Sequence, residues 1–190
     1  MSVALTKGAN ADLSRSAPGL ATVEVRLGWD VSVSGTDVDL DASALLVGAD
    51  GKVPDDQHFV FFNNLTSPDG SVVHLGDNRT GAGDGNDEVI TIDLPKVPAH
   101  VQKIVFAVSI YEPDARGQSF GQVTNAYIRV VNAASGAEMV RYDLTEVYDS
   151  ETALVFGEVY RKDEQWKFRA VGQGFDSGLA GIAEEFGVAL

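Results

Sequence analysis

The sequence predicts an all-β chain, mainly an antiparallel β-sandwich closed by a short C-terminal helix. Three observations carry this reading. Apolar and polar residues alternate along several short segments, the period of a half-buried strand. Twenty glycines, together with many Asp and Asn residues, break those segments at short intervals. The last stretch changes period, with Leu179, Ile182, Ala183 and Phe186 recurring at helical spacing. No Pro- or Ser-rich linker divides the 190 residues, so 1–190 reads as a single domain.

Each element follows from its own residues. Val23, Val25, Leu27 and Trp29 alternate with Glu24, Arg26 and Gly28, which puts Trp29 on a core face. His58 to Phe62 is a short aromatic and β-branched run. Ile90, Ile92 and Leu94 alternate with Val89, Thr91 and Asp93. Ile104 to Ile110 is apolar at nearly every position, the pattern of a central strand covered on both faces. Ala126 to Val131 is a further strand. Ala153 to Arg161 and Gln165 to Val171 flank Lys162-Asp163-Glu164, which predicts a β-hairpin. Asp176 or Ser177 stands where a cap would open the final helix.

Composition excludes several functions. Fourteen Lys and Arg stand against 28 Asp and Glu, a net charge of −14. Nucleic-acid phosphates and anionic lipid both need a basic footprint. There is no cysteine, which removes disulfides, thiolate metal sites and thiol chemistry. The N-terminus has no signal-peptide pattern, and no apolar run approaches the roughly 18 residues of a membrane span. The expected setting is cytoplasmic, with no membrane insertion.

Two segments hold dense acid. The first runs from Asp30 to Asp41 without a basic residue. Its Asp37, Asp39 and Asp41 have period two, so on a strand all three carboxylates share one face while Val38 and Leu40 take the other. A bound cation would offset their repulsion. The second is GDNRTGAGDGNDE, Gly76 to Glu88. Asp77, Asp84, Asp87 and Glu88 bring carboxylates, Asn78, Thr80 and Asn86 bring neutral oxygens, and Gly81, Gly83 and Gly85 permit sharp turns. That all-oxygen mixture suits calcium, which takes about 6–8 oxygen ligands. Zinc and copper are disfavoured, because His74 is the one nearby nitrogen donor. Asp77 and Glu88 fall at positions 1 and 12 of an EF-hand window, but Arg79, Gly81 and Ala82 break that pattern and the flanks read as strands. The calcium nonapeptide of β-helices needs tandem copies, and Ala82 to Ile90 is a single imperfect one.

With these motifs in view, the sequence closely resembles the tellurium-resistance TerD family of bacterial stress proteins. The resemblance rests on LTKGAN (Leu5 to Asn10), LGWD (Leu27 to Asp30), DVDLDAS (Asp37 to Ser43), FFNN (Phe61 to Asn64), the Gly76 to Glu88 loop, RGQSFGQV (Arg116 to Val123), RYDLTE (Arg141 to Glu146) and WKFRAVGQGF (Trp166 to Phe175). It implies a β-sandwich holding two adjacent calcium ions. By position, the implied ligands are Asp30, Asp37, Asp39 and Asp41 from the first segment. From the second come Asp77, Asn78, Asp84, Asp87 and Glu88, with oxygens at Thr80, Gly83 and Gly85. Asn63 and Asn64 stand as neighbours. Asn86 replaces an Asp that many relatives carry, at the cost of one negative charge. The resemblance also implies a role in tellurite and stress resistance through protein partners, including membrane-bound proteins of the same system.

The expected function is therefore a calcium-binding, non-enzymatic stress protein acting through partners. The alternative is a calcium-dependent module for a small ligand such as a sugar, nucleotide or anion, for which Trp29 and Trp166 are candidate stacking residues. Direct tellurite chemistry is disfavoured, since the only sulfur is that of Met1 and Met139. A serine hydrolase lacks a GxSxG elbow. His74, lying between Val73 and Leu75, reads as an ordinary surface or partly buried histidine.

Overall fold

Strand periodicity dominates the structure, a computed structural model that describes residues 2–31, 38–76 and 88–190. The first sheet comprises β1 (Val3–Leu5), β3 (Thr22–Val31), β6 (Val72–His74), β7 (Glu88–Asp93), β9 (Val123–Asn132) and β10 (Glu138–Asp143). Its order is β1-β10-β9-β3-β7-β6. The second comprises β2 (Asn10–Asp12), β4 (Leu40–Val47), β5 (Phe59–Val60), β8 (Lys103–Ile110), β11 (Ala153–Lys162) and β12 (Gln165–Phe175). Its order is β2-β12-β11-β8-β4-β5. The expected antiparallel sandwich is present with one exception: β1 runs parallel to β10. The outermost strands of both sheets, β1, β6, β2 and β5, have only two or three residues each.

The predicted strands extend beyond their apolar cores. The 104–110 segment lies in mid-sheet between β11 and β4, and Ile104, Phe106 and Val108 are buried on one face while Val105 and Ala107 are buried on the other. The β11–β12 hairpin turns at Asp163 and Glu164, both with positive φ (53° and 62°), the geometry a two-residue hairpin loop requires. Of the His58 to Phe62 run, only Phe59 and Val60 pair as a strand. The remaining short helices, α1 (Leu13–Ser16) and α2 (Pro113–Arg116), are connectors.

Two apolar layers hold these elements. The inner faces of the sheets share one cluster that includes Val25, Leu27, Trp29, Val38, Leu40, Ile90, Phe106, Ile128, Phe156 and Phe168. Trp29 and Trp166 are both buried, and the Arg161 guanidinium lies 4.4 Å over the Trp166 ring. A second cluster lies on the outer face of the second sheet, where α3 (Gly178–Glu185) covers Leu45, Val105 and Val155 with Ile182 and Ala183. Leu179 and Phe186 pack at its margin, as the spacing predicts. Ser177 occupies the N-cap position but makes no side-chain cap bond.

Two local features fix the packing. Gly28 leaves room for the Tyr127 ring, since a Cβ there would sit 2.4 Å from its tip and displace it, and Arg141 lies 4.0 Å over the same ring. On β11 the register shifts between Val155 and Gly157 against both neighbours, and Phe156 at the shift points inward. Its ring meets Tyr142 of the opposite sheet edge-on, at 5.9 Å and 85°. Nearby, the buried Tyr148 hydroxyl donates to the Gly172 carbonyl, and burial pushes that phenol up to about 12. Tyr148→Phe should therefore cost about 1 kcal/mol, read as a lower urea midpoint with an unchanged slope. An unchanged midpoint would show that water satisfies the carbonyl equally well.

Candidate functional site

Strand register brings the described ends of both acidic segments to one end of the sandwich. At that end β3 finishes at Val31 beside the start of β9, and β7 begins at Glu88 opposite Leu27. In the other sheet β4 begins at Leu40 opposite Ile110, the last residue of β8. The described residues that border the two segments, Val31 and Leu40 on one and Leu75 and Glu88 on the other, therefore lie at that end.

Four of the predicted ligands fall within the described residues. Asp30 is exposed near the end of β3, where the Asn125 side-chain amide donates to its Oδ2 at 2.8 Å. Asn125 holds a left-handed backbone (φ 52°) beside the register shift that separates Gly28 from Asp30. Asp39 and Asp41 are half-buried, and Val38 and Leu40 between and before them are in the core. The expected division of that segment into one apolar and one acidic face is thus present over 38–41. Asp37, Asp77, Asn78, Thr80, Gly83, Asp84, Gly85 and Asp87 lie outside the described residues. Among the described residues, no group of three or more His, Asp or Glu side chains is placed to hold a metal ion.

Glu88 is the most constrained of the four. It is 2% exposed. Its Oε2 accepts from the Ala42 backbone N–H at 2.5 Å and from His74 Nε2 at 3.2 Å. The Ala42 bond links the two sheets. It forms because β5 pairs only with Ala44 and Leu45, which leaves this stretch of the β4 edge open. Glu88 Oε1 is buried and has no hydrogen-bond partner among the described residues. Burial pushes the carboxyl up to about 7, against the lowering pull of His74 and the Ala42 N–H, and the charge of Asp41 adds to the rise. Among the described residues, an oxygen so placed lacks compensation. It fits a cation held by an all-oxygen set, so the residues present suit calcium.

His74 is not the ordinary histidine the sequence suggests. It is 3% exposed, its Nδ1 accepts from the Gly76 N–H at 3.0 Å, and Nε2 faces Glu88. Those two bonds fix the tautomer with the proton on Nε2, donated to the carboxylate. His74 therefore orients the Glu88 carboxylate through this bond. Asn125 is the second residue that sequence reasoning missed. Asn64, a suggested neighbour, spends its amide on the Gln57 and Phe59 carbonyls and shapes its own loop. The strands that flank the second acidic segment, β6 and β7, agree with the rejection of an EF-hand.

Comparison with known proteins follows this geometry. The family profile described as TerD domain matches residues 1–186. The chain is 56% identical over 189 residues to a tellurium resistance protein TerD from Serratia marcescens, covering 99% of this chain and 98% of that one. It is 47% identical over 190 residues to general stress protein 16U from Bacillus subtilis (strain 168), covering 99% and 98%. A crystal structure of a homologue of telluride resistance protein (TerD) from Streptomyces coelicolor A3(2) superposes with a TM-score of 0.70 at 29% identity, covering 87% of this chain and 96% of that chain. Among the described residues, no helix is long and apolar enough to cross a membrane.

Proposed function

The chain belongs to the TerD family of tellurium-resistance and stress proteins, and from that premise we propose that it is a calcium-binding, non-enzymatic member that acts through protein partners. The observation that carries this reading is the Glu88 carboxylate, buried with one oxygen that has no partner among the described residues, at the end of the sandwich where the described ends of the two acidic segments lie. Asp30, Asp39, Asp41 and Glu88 would contribute from the strand ends. Asp37, Asp77, Asn78, Asp84, Asp87 and the oxygens of Thr80, Gly83 and Gly85 would complete two adjacent sites. Calcium would neutralise like charges there and order the loops that carry them.

The partner would meet a surface whose shape depends on that ordering. Proteins of the same stress system, including membrane-bound ones, are the expected partners, with this chain docking from the cytoplasm. Net charge again disfavours nucleic acid.

The test is calorimetric titration of chelator-stripped protein with calcium, with magnesium as the control and thermal melts in parallel. We expect two equivalents of calcium, with magnesium much weaker. Calcium at 100 times its dissociation constant should add about 2.7 kcal/mol of stability. For a chain of this size that corresponds to about 5–10 °C in melting temperature. No heat and no change in melting would remove calcium from the account.

A further inference from the structure

At the acidic end a side chain of the first sheet is bonded to the backbone of the second. Glu88 opens β7, opposite Leu27 of β3, and its Oε2 accepts the backbone N–H of Ala42 on β4. Along β4 the backbone groups alternate between two sides. The Asp39 and Val47 carbonyls accept from Tyr111 and Gln102, the residues that flank β8. The Ala42 N–H points the other way, to the edge that β5 covers only at Ala44 and Leu45. Ala42 is 1% exposed, so this N–H is removed from bulk water and depends on the carboxylate.

The carboxylate is used unevenly. Oε2 takes both bonds, from Ala42 and from His74 Nε2, while Oε1 is buried with no hydrogen-bond partner among the described residues. A buried carboxylate with one oxygen uncompensated is costly. Relief without a cation requires Oε1 to turn toward water, and that rotation draws Oε2 away from the Ala42 N–H. A cation on Oε1 removes the cost with the side chain in place, and both oxygens are then engaged.

We propose that Glu88 is a cation-operated latch between the two sheets. Metal on Oε1 holds Oε2 on the Ala42 N–H and keeps that stretch of the β4 edge closed; loss of the metal lets it open. The inference rests on the calcium reading and adds what the ion does to the sandwich itself. It closes a seam between strands β7 and β4, in addition to ordering the loops that carry the other ligands.

Amide hydrogen exchange followed by NMR reads the latch, with calcium calorimetry on the same samples. The Gln102 N–H, bonded to the Val47 carbonyl at the opposite end of the β4–β8 pair, is the internal reference for any general stabilisation. Saturating calcium should slow exchange at Ala42 at least ten-fold more than at Gln102. Glu88→Gln keeps an oxygen for the Ala42 N–H but not the charge for the ion. In that variant, calcium at the remaining site should slow the two amides equally. Equal slowing in wild type, or a difference that persists in Glu88→Gln, would overturn the latch and leave calcium binding standing. Absence of any heat of calcium binding would overturn both, so calorimetry tells the two failures apart. The wild-type comparison stands whether or not the variant folds.

Discussion

Glu88→Gln should abolish calcium binding at one of the two expected sites while leaving the metal-free protein folded. Glutamine keeps the shape of the side chain and one oxygen for the Ala42 N–H and His74 Nε2–H. It loses the charge a hard cation requires. The affinity loss should exceed the roughly 10–100-fold expected for His74→Gln, which removes only a residue that orients the ligand. In chelator the order of stability reverses. A carboxyl raised from 4.5 to about 7 in the folded state contributes its full stability below pH 4.5 and loses it as pH rises through about 7. The shift corresponds to about 3 kcal/mol. Metal-free wild type should thus become less stable between pH 5 and 8, and Glu88→Gln should flatten that slope. Chemical denaturation at three pH values, with and without calcium, reads both effects. Parallel pH profiles for the two proteins, or unchanged calcium stoichiometry in the variant, would remove Glu88 from the site.

Phe156→Ala should cost about 3–5 kcal/mol, the range for a fully buried Phe cut to a methyl. Phe156 is 2% exposed and spans the sandwich from β11 to the Tyr142 ring on β10. Few other single changes remove both a large core volume and a contact between the sheets. The melting temperature should fall by about 6–20 °C at the usual sensitivity for this chain length. Phe156→Leu should cost less than half as much, because most of the volume remains. Calcium stoichiometry should be unchanged in both, since Phe156 lies in the apolar core and is not a proposed ligand. A loss below 1 kcal/mol for Phe156→Ala would mean that the sheets relax into the cavity.

The strands were legible because burial writes period two into the chain. Val23 to Trp29, Ile90 to Leu94 and Ile104 to Ile110 each show it, and Leu179 to Phe186 shows the helical period. β1 and β2 were not legible: three residues of edge strand carry no period, and their pairing depends on partners more than 100 residues away. The parallel β1–β10 pair is a tertiary choice of the same kind. In the site, acid density exposed Asp30, Asp39 and Asp41. Glu88 was legible as an acid but not as the buried first residue of a strand. His74 and Asn125 gave no signal, because what distinguishes them is the partner each meets across the fold. His74 reaches Glu88 from the adjacent strand, and Asn125 reaches Asp30 across 95 residues of sequence.

The outermost strands carry one more consequence. A sheet edge offers unpaired N–H and C=O groups to any neighbouring chain, and long flat edges template aggregation. Here each edge strand has two or three residues, against ten or eleven in β3, β9, β11 and β12. The outermost strands thus offer a second molecule few groups in line, and the net charge of −14 adds repulsion at longer range. The long strands β3, β9 and β11 have a partner on each side, and β12 is covered by β2 over Lys167–Arg169. Short outermost strands and like charge both oppose the pairing of one molecule's sheet with another's.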